Sequence, residues 1–485
     1  MRAEAAARPA SGPRPDAGGR LARRSDLPAA GSEVHLVGAA GAGMRALAVL
    51  LSGEGFGVSG CDRSGAAVEE IAARGGRVHA GHDPAHVRGA ALLVRSSAVP
   101  DDHPELRAAR ERGIPVWRRA RALAALVNDR TLAAVSGTHG KTTITAMTAL
   151  AAEAAGLDPA AAVGGRVPGW DANARPGSGA VAVVEADEYD RSFLELDPDV
   201  AVVSAVEEEH LESYGSLEAL EEAYRTFAGR ASDRLGVLCC ADEPGARSLA
   251  REVAGSATYG YAADAGYRVE ALSEGGFSGP REARLRGPEA SFAFRLSAPG
   301  DHNLQNAAAA LATALRLGAE PGALEEALAE FTGVARRLER LAGSREVTVV
   351  DDYAHHPTEV ATALAAARRL AGGARLVAVF QPHLYSRTRR FAAAFGRALA
   401  GGADRSLVLP VYGAREAPIR GVDASLVVEG AGGAGTVLPA GREEVLAEVG
   451  EALAGPSGPT VFLFMGAGDV TELAHEAAGV VEEDA

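Results

Sequence analysis

Short runs rich in valine and alanine alternate along this chain with longer alanine-rich stretches, and that alternation constrains the fold more than any other feature. Val34–Val37 precedes Met44–Leu51, and Val58–Cys61 and Ala91–Val94 follow. Runs that are apolar on both faces, separated by helix-length segments, suit a parallel sheet covered by helices, because each crossover must carry the chain back to the same sheet end. A second series begins with Thr131–Ser136 and continues through Val181–Glu185 and Val200–Ser204. A third begins near Arg345, with Val347–Val350, Leu376–Phe380, Leu407–Leu409 and Val461–Phe464. The expected fold class is α/β in three domains, spanning 32–128, 129–332 and 333–485, since 485 residues exceed what one core accommodates.

Residues 1–31 carry six arginines and no aromatic, and are expected to form a disordered tail. Glu4, Asp16 and Asp26 argue against a transit peptide there. The formal charge of -15 argues against nucleic-acid and anionic-membrane partners, which are gripped by clustered cations. No apolar run approaches the ~18 residues of a spanning helix, so no membrane insertion is expected. The three cysteines include the adjacent pair Cys239 and Cys240, a poor basis for a disulfide framework, and a cytoplasmic, reducing setting is expected.

The segment Gly137, Thr138, His139, Gly140, Lys141, Thr142, Thr143 lies between the apolar run ending at Val135 and a helix-forming stretch. Strand, glycine loop and helix start, in that order, make a phosphate cradle. Glycines let backbone N–H groups approach phosphate oxygens, and the helix N-terminus favours negative charge. Lys141 supplies a charge for the β- and γ-phosphates, and Thr142 a hydroxyl for Mg2+. The spacing departs from the usual G-x-x-x-x-G-K-[ST], because Val135 stands at the first glycine position. A second glycine turn, with Gly38, Gly41 and Gly43 before Met44, follows the first strand, and Asp62 lies about 20 residues on. By itself this turn fits a structural role, an NAD site or a UDP site equally.

Glu185, Asp187 and Glu188 follow a strand, as does the later group Glu207, Glu208, Glu209 and His210. Glu185 and His210 are the candidates for Mg2+, which takes a few protein ligands beside phosphate and water, whereas Glu208, Glu209 and Glu212 read as a solvated loop.

With these segments stand Gly300–Asn303 and Asn306, Gly333–Arg337, Asp351–Glu359, Phe380–His383, Ala414–Glu416 and Met465–Asp469. In order, from about 34 to 470, they resemble the Mur ligase family. The resemblance implies a Rossmann-like UDP-substrate domain, a central P-loop-type ATPase domain and a C-terminal Rossmann-like α/β domain. It implies ATP-dependent ligation of L-alanine to the lactyl carboxylate of UDP-N-acetylmuramate through an acyl phosphate, in peptidoglycan precursor synthesis. By resemblance, Gly137–Thr143 bind the triphosphate, and Thr142, Glu185 and His210 hold Mg2+. His302 and Asn303 face adenine, and Arg336 and Asp351 reach phosphate and ribose. Tyr353, His356, His383 and Arg387 line the amino-acid pocket, and Gly38, Gly41, Gly43, Met44 and Asp62 take the UDP moiety. Lys141, Glu185 and His210 would then be catalytic, in a monomer or weak homodimer.

Ala39 and Ala40 depart from the family pattern, with Ala40 open to crowding in a turn that needs positive φ, as do Ala205 and Glu209. A ligase that recycles murein tripeptide, or a catalytically silent nucleotide-binding homologue, are the alternatives within the resemblance. An NAD-dependent oxidoreductase would leave Lys141, Glu185 and His302 without work. Zinc at His355, His356 and His383 is disfavoured against hydrogen-bonding roles, because no thiolate or H-x₃-H pattern accompanies them.

Overall fold

A computed structural model describes residues 20–63, 69–170, 172–208, 211–231, 233–273, 280–414, 416–433, 435–455 and 458–484. Three sheets form, each with a parallel centre, as the alternating runs require. In the first, β1 (Glu33–Val37), β2 (Gly57–Asp62), β3 (Arg77–Ala80), β4 (Leu92–Arg95) and β5 (Val116–Arg118) lie in the order β3-β2-β1-β4-β5. All its pairs are parallel, and the order reverses beside β1, so the crevice beyond the ends of β1 and β4 is where such a sheet places a ligand.

The second sheet contains β6 (Thr131–Ser136), β7 (Ala160–Ala162), β8 (Ala174–Arg175), β9 (Val181–Glu185) and β10 (Val200–Val203). It continues with β11 (Gly236–Cys240), β12 (Ser256–Gly260), β13 (Tyr267–Ala271), β14 (Arg281–Arg286) and β15 (Ser291–Leu296). Its order is β15-β14-β13-β12-β11-β10-β6-β9-β7-β8. β6 lies between β9 and β10, parallel to both, so the loop leaving β6 emerges between the ends of two other strands. The meander β13-β14-β15 is antiparallel. Its outer strand reads exposed and buried in strict alternation over Ser291–Leu296, the signature of a sheet with one wet face.

In the third sheet, β16 (Glu339–Gly343), β17 (Val347–Asp352), β18 (Arg375–Phe380), β19 (Arg405–Val408), β20 (Val437–Pro439) and β21 (Thr460–Met465) take the order β16-β17-β21-β18-β19-β20. Separate apolar clusters cover its two faces, one around Leu364, Phe380 and Phe395, the other around Val349, Phe462 and Leu473. The first two sheets instead share a continuous core that joins Leu36 and Leu47 to Val135 and Val183.

One expectation is corrected here. Residues 20–31 are not a disordered tail: Ala22 and Leu27 are buried in the shared core, and Arg23 pairs with Asp197 and donates to the Asn128 carbonyl. Arg24 lies 4.9 Å over the Phe56 ring. Arginine-rich composition reads as disorder until acidic partners from elsewhere in the chain, here Asp129 and Asp197, meet it. Residues 1–19 of that segment lie outside the described residues.

Candidate active site

The loop after β6 turns into the helix Lys141–Ala154 through two glycines at positive φ, Gly137 at 130° and Gly140 at 78°. At Gly137 no side chain fits, because a Cβ would lie 2.2 Å from Ser204 Oγ and 2.7 Å from the Ala205 nitrogen. The loop is tied to the end of β10 by Thr138 N–H donating to the Ala205 carbonyl at 2.9 Å, and by Glu207 N–H donating to Thr138 Oγ1 at 2.9 Å. Ala205 thus ties the loop through its backbone, which does not depend on the side chain at that position.

Lys141 Nζ donates to the Gly137 carbonyl at 2.6 Å and pairs with Glu188 Oε1 at 2.9 Å. Thr142 Oγ1 donates to Glu185 Oε1 at 3.1 Å, while Glu185 Oε2 accepts from Gly164 N–H at 2.7 Å. Hard oxygens therefore gather beside the loop, the donor set that suits Mg2+. His210, the third expected ligand, lies outside the described residues, as does Glu209. Glu188, which the sequence places at this strand end without a role, is the acid that meets Lys141.

Behind the loop a cavity of about 160 Å³ is lined by His302, Asn303, Asn306 and Tyr259 from the central domain and by Arg337, Asp352 and Glu359 from the C-terminal domain. His302 Nδ1 is buried without a hydrogen-bond partner among the described residues. Burial, reinforced by the nearby Arg369, lowers its pKa to about 4, so the imidazole facing this cavity is neutral. The Asn303 carboxamide bridges the Pro299 carbonyl and the Asn306 amide, which fixes its orientation.

A larger cleft, about 770 Å³, is lined by all three domains: Gly43, Arg45 and Arg119 from the first, Lys141, Thr142 and Glu185 from the second, and Tyr353, His355, His383 and Arg387 from the third. The third domain is latched over the phosphate loop. Thr358 Oγ1 donates to Glu207 Oε2 at 3.0 Å, and His139 lies 3.4 Å from Glu207 and 3.5 Å from Glu359. Burial opposes charge on His139, but hydrogen bonds to Glu207 and Glu359 outweigh it and hold its pKa at about 10. Because that value is raised above the ordinary ~6.5, the latch is complete below about pH 6.5 and is lost as pH rises through about 10. Small-angle scattering of the nucleotide-free chain should show expansion between those limits, and Glu359→Gln should blunt it; a radius that ignores both would remove the latch.

Three expected site residues are corrected. Asp351 is fully buried, accepts from Thr471 Oγ1 at 2.6 Å and faces Arg336 Nε at 3.3 Å, away from the cavity behind the loop; Asp352 faces that cavity instead. Successive residues of β17 point to opposite faces, so a shift of one reverses the assignment. Burial raises Asp352 to a pKa of about 6. Likewise His355 lines the cleft, whereas His356 is buried against Phe391 at 5.0 Å and His139 at 5.4 Å. Arg336, by contrast, does line the cleft, its guanidinium 4.8 Å over Tyr353 and donating to the Gly466 carbonyl at 2.6 Å.

Met44 is the third correction: its side chain is core, 1% exposed, within the helix Ala42–Gly53. Gly41 caps that helix, and Gly38, at φ 79°, is the glycine of the turn that needs the left-handed region. Ala39 and Ala40 have ordinary φ, which removes the crowding expected at Ala40, and Asp62 accepts from Ala40 N–H at 3.0 Å. Gly43 admits the Arg119 side chain, whose Cδ would lie 2.9 Å from a Cβ there.

The family signatures described as "Mur ligase family, catalytic domain", "Mur ligase middle domain" and "Mur ligase, glutamate ligase domain" match residues 33–131, 135–314 and 336–468. The chain is 47% identical over 464 residues to the UDP-N-acetylmuramate–L-alanine ligase of Kineococcus radiotolerans, covering 93% of this chain and 96% of the relative. It is 42% identical to the enzyme of that name from Streptomyces griseus, over 92% of this chain and 97% of the relative. The crystal structure of UDP-N-acetylmuramate-alanine ligase from Thermotoga maritima superposes with a TM-score of 0.77 at 26% identity, covering 93% of this chain and all of that one. With a phosphate loop, three sheets in this order and matches along nearly its whole length, the chain belongs to the Mur ligase family.

Proposed function

We propose that this chain joins L-alanine to the lactyl carboxylate of UDP-N-acetylmuramate at the expense of ATP, in the assembly of peptidoglycan precursors. The observation that carries this reading is the single cleft in which groups suited to a nucleotide-sugar, a triphosphate and a small amino acid converge from three domains. Its names come from relatives at 42–47% identity.

A carboxylate is a poor electrophile, and phosphorylation by ATP makes it an acyl phosphate that an amine can attack, with phosphate leaving. Charge accumulates on a few oxygens in both steps, so fixed cations and aimed N–H groups are the catalysts needed. Lys141 and the N–H groups of the glycine loop serve the transferring phosphoryl group. Thr142 and Glu185, with His210 as the expected third group, would hold Mg2+, which when bound neutralises triphosphate charge. His302 and Asn303 meet the base, and Arg337 and Asp352 approach the nucleotide from the other side of the cavity. Gly38, Gly41 and Asp62 shape the turn that takes the UDP pyrophosphate.

Tyr353, His383, Arg387 and His355 line the part of the cleft assigned to the amino acid and the lactyl carboxylate. Closure of the third domain, through His139, Glu207, Thr358 and Glu359, excludes the water that would hydrolyse an acyl phosphate. The buried free thiols of Cys61, Cys239 and Cys240 agree with a cytoplasmic setting, and no described helix is long and apolar enough to cross a membrane. A monomer or weak homodimer suffices, since one chain supplies the cleft.

A coupled ADP-release assay tests the assignment. With UDP-N-acetylmuramate and Mg2+, release should depend strictly on free L-alanine. Turnover with a tripeptide alone would transfer the chain to peptide recycling, and ATP binding without any release would make it a silent homologue.

A further inference from the structure

Five of the twelve histidines, His35, His79, His82, His86 and His103, gather in the first domain around one acid, far from the phosphate loop in sequence. The acid is Glu105, the second residue of the helix Pro104–Glu111, and it is fully buried. Cys61 Sγ lies 2.9 Å from Glu105 Oε2, His86 Nδ1 3.0 Å from Oε1, and His35 Nε2 3.8 Å from Oε2. The four donor atoms all lie within 4.8 Å of one another. His35 and Cys61 are also fully buried, and His35 Nε2 has no hydrogen-bond partner among the described residues. A buried imidazole nitrogen left without a hydrogen bond is costly, so this one needs a reason.

We propose that His35, Cys61, His86 and Glu105 form a binding site for a zinc-class divalent cation, set behind the turn that takes the nucleotide-sugar. Two imidazoles, one thiolate and one carboxylate form a mixed donor set of the kind that selects borderline-soft ions over Mg2+. Tetrahedral zinc with bonds of about 2.0–2.3 Å needs donors about 3.3–3.7 Å apart, so small side-chain adjustments suffice. On binding, the Cys61 thiol proton leaves to solvent and the sulfur turns from Glu105 to the ion.

The surroundings are those of a built site. Ser59 Oγ holds His35 Nδ1 at 2.9 Å, which fixes the ring and leaves Nε2 directed at the cluster, as second-shell partners of metal-bound imidazoles do. His79 stacks on His86 at 4.0 Å with an interplanar angle of 13°, fixing the second ring. Asp83 N–H donates to Glu105 Oε1 at 2.9 Å, orienting the carboxylate. The ligands come from β1, β2, the 82–90 turn and a helix start, so an ion would cross-link four segments. It would also act on the turn: Gly38 N–H and Ala39 N–H both donate to the Cys61 carbonyl, each at 3.0 Å.

Cobalt substitution reads this site without reference to turnover. The full chain, stripped with a chelator and titrated with Co2+, should develop a thiolate-to-cobalt charge-transfer band that Zn2+ abolishes by displacement. Cys61→Ser should lose the band while keeping far-UV circular dichroism, because serine can still donate to Glu105. His86→Ala, at the more open side of the cluster, should weaken Co2+ binding by about 10-fold or more and serves if the serine variant fails to fold. Glu185→Gln, in the ATP region, should leave the band unchanged. Absence of a thiolate band in the wild-type chain, or a band that survives both Cys61→Ser and His86→Ala, would overturn the site and leave a hydrogen-bonded core cluster.

Discussion

Lys141→Ala is expected to lower the ligation rate by about 10³-fold or more, because it removes a fixed charge from the transferring phosphoryl group in a site closed to water. Its ammonium is held at the mouth of the loop by the Gly137 carbonyl and by Glu188, whose side chain is 1% exposed. Alanine also removes a cationic partner from this buried carboxylate, which destabilises the fold. The double variant Lys141→Ala with Glu188→Gln separates the two effects, since it restores electroneutrality without restoring catalysis. Thermal unfolding should recover in the double variant while kcat stays low. A single variant that unfolds normally and retains activity within tenfold of the parent would contradict the assigned site.

Glu185→Gln should raise the Mg2+ concentration for half-maximal activity by about 10–100-fold, with little change in nucleotide affinity measured without metal. The amide preserves shape, so contacts to Thr142 Oγ1 and Gly164 N–H need not collapse, whereas the negative charge is gone. Activity titrated with Mg2+ gives the shift, and isothermal titration of ADP in chelator gives the control. An unchanged Mg2+ requirement would remove Glu185 from the metal site and leave it as a structural anchor for the 164 turn.

Much of the fold was legible from residue order because parallel α/β layers are specified locally. Thr131–Ser136 and Val181–Glu185 form strands with the expected ends, since a run apolar on both faces has few stable alternatives. The phosphate loop is contiguous, so its strand, glycines, lysine and helix start could be read together. The wet-faced meander β13-β14-β15 went unread, because only two of the six residues of its central strand, Ala283 and Leu285 in Arg281–Arg286, are apolar. Site residues outside the loop divided according to geometry. Tyr353, His383 and Arg387 reach the cleft. Asp351, His356 and Met44 do not, because each shares a motif with a neighbour that points the other way.

Sequence alone determined the parallel strands and the helices between them, their order, and the family whose chemistry they serve, because each depends on neighbours within a few turns of chain. Tertiary structure alone decided which of two adjacent acids or histidines faces substrate, and that Arg23 packs rather than trails. It also decided that Glu188 answers Lys141, and that His35, Cys61, His86 and Glu105 meet at one point. Those outcomes depend on side-chain direction and on pairing between segments tens of residues apart, and a buried charge or donor finds its partner only when the sheets are assembled.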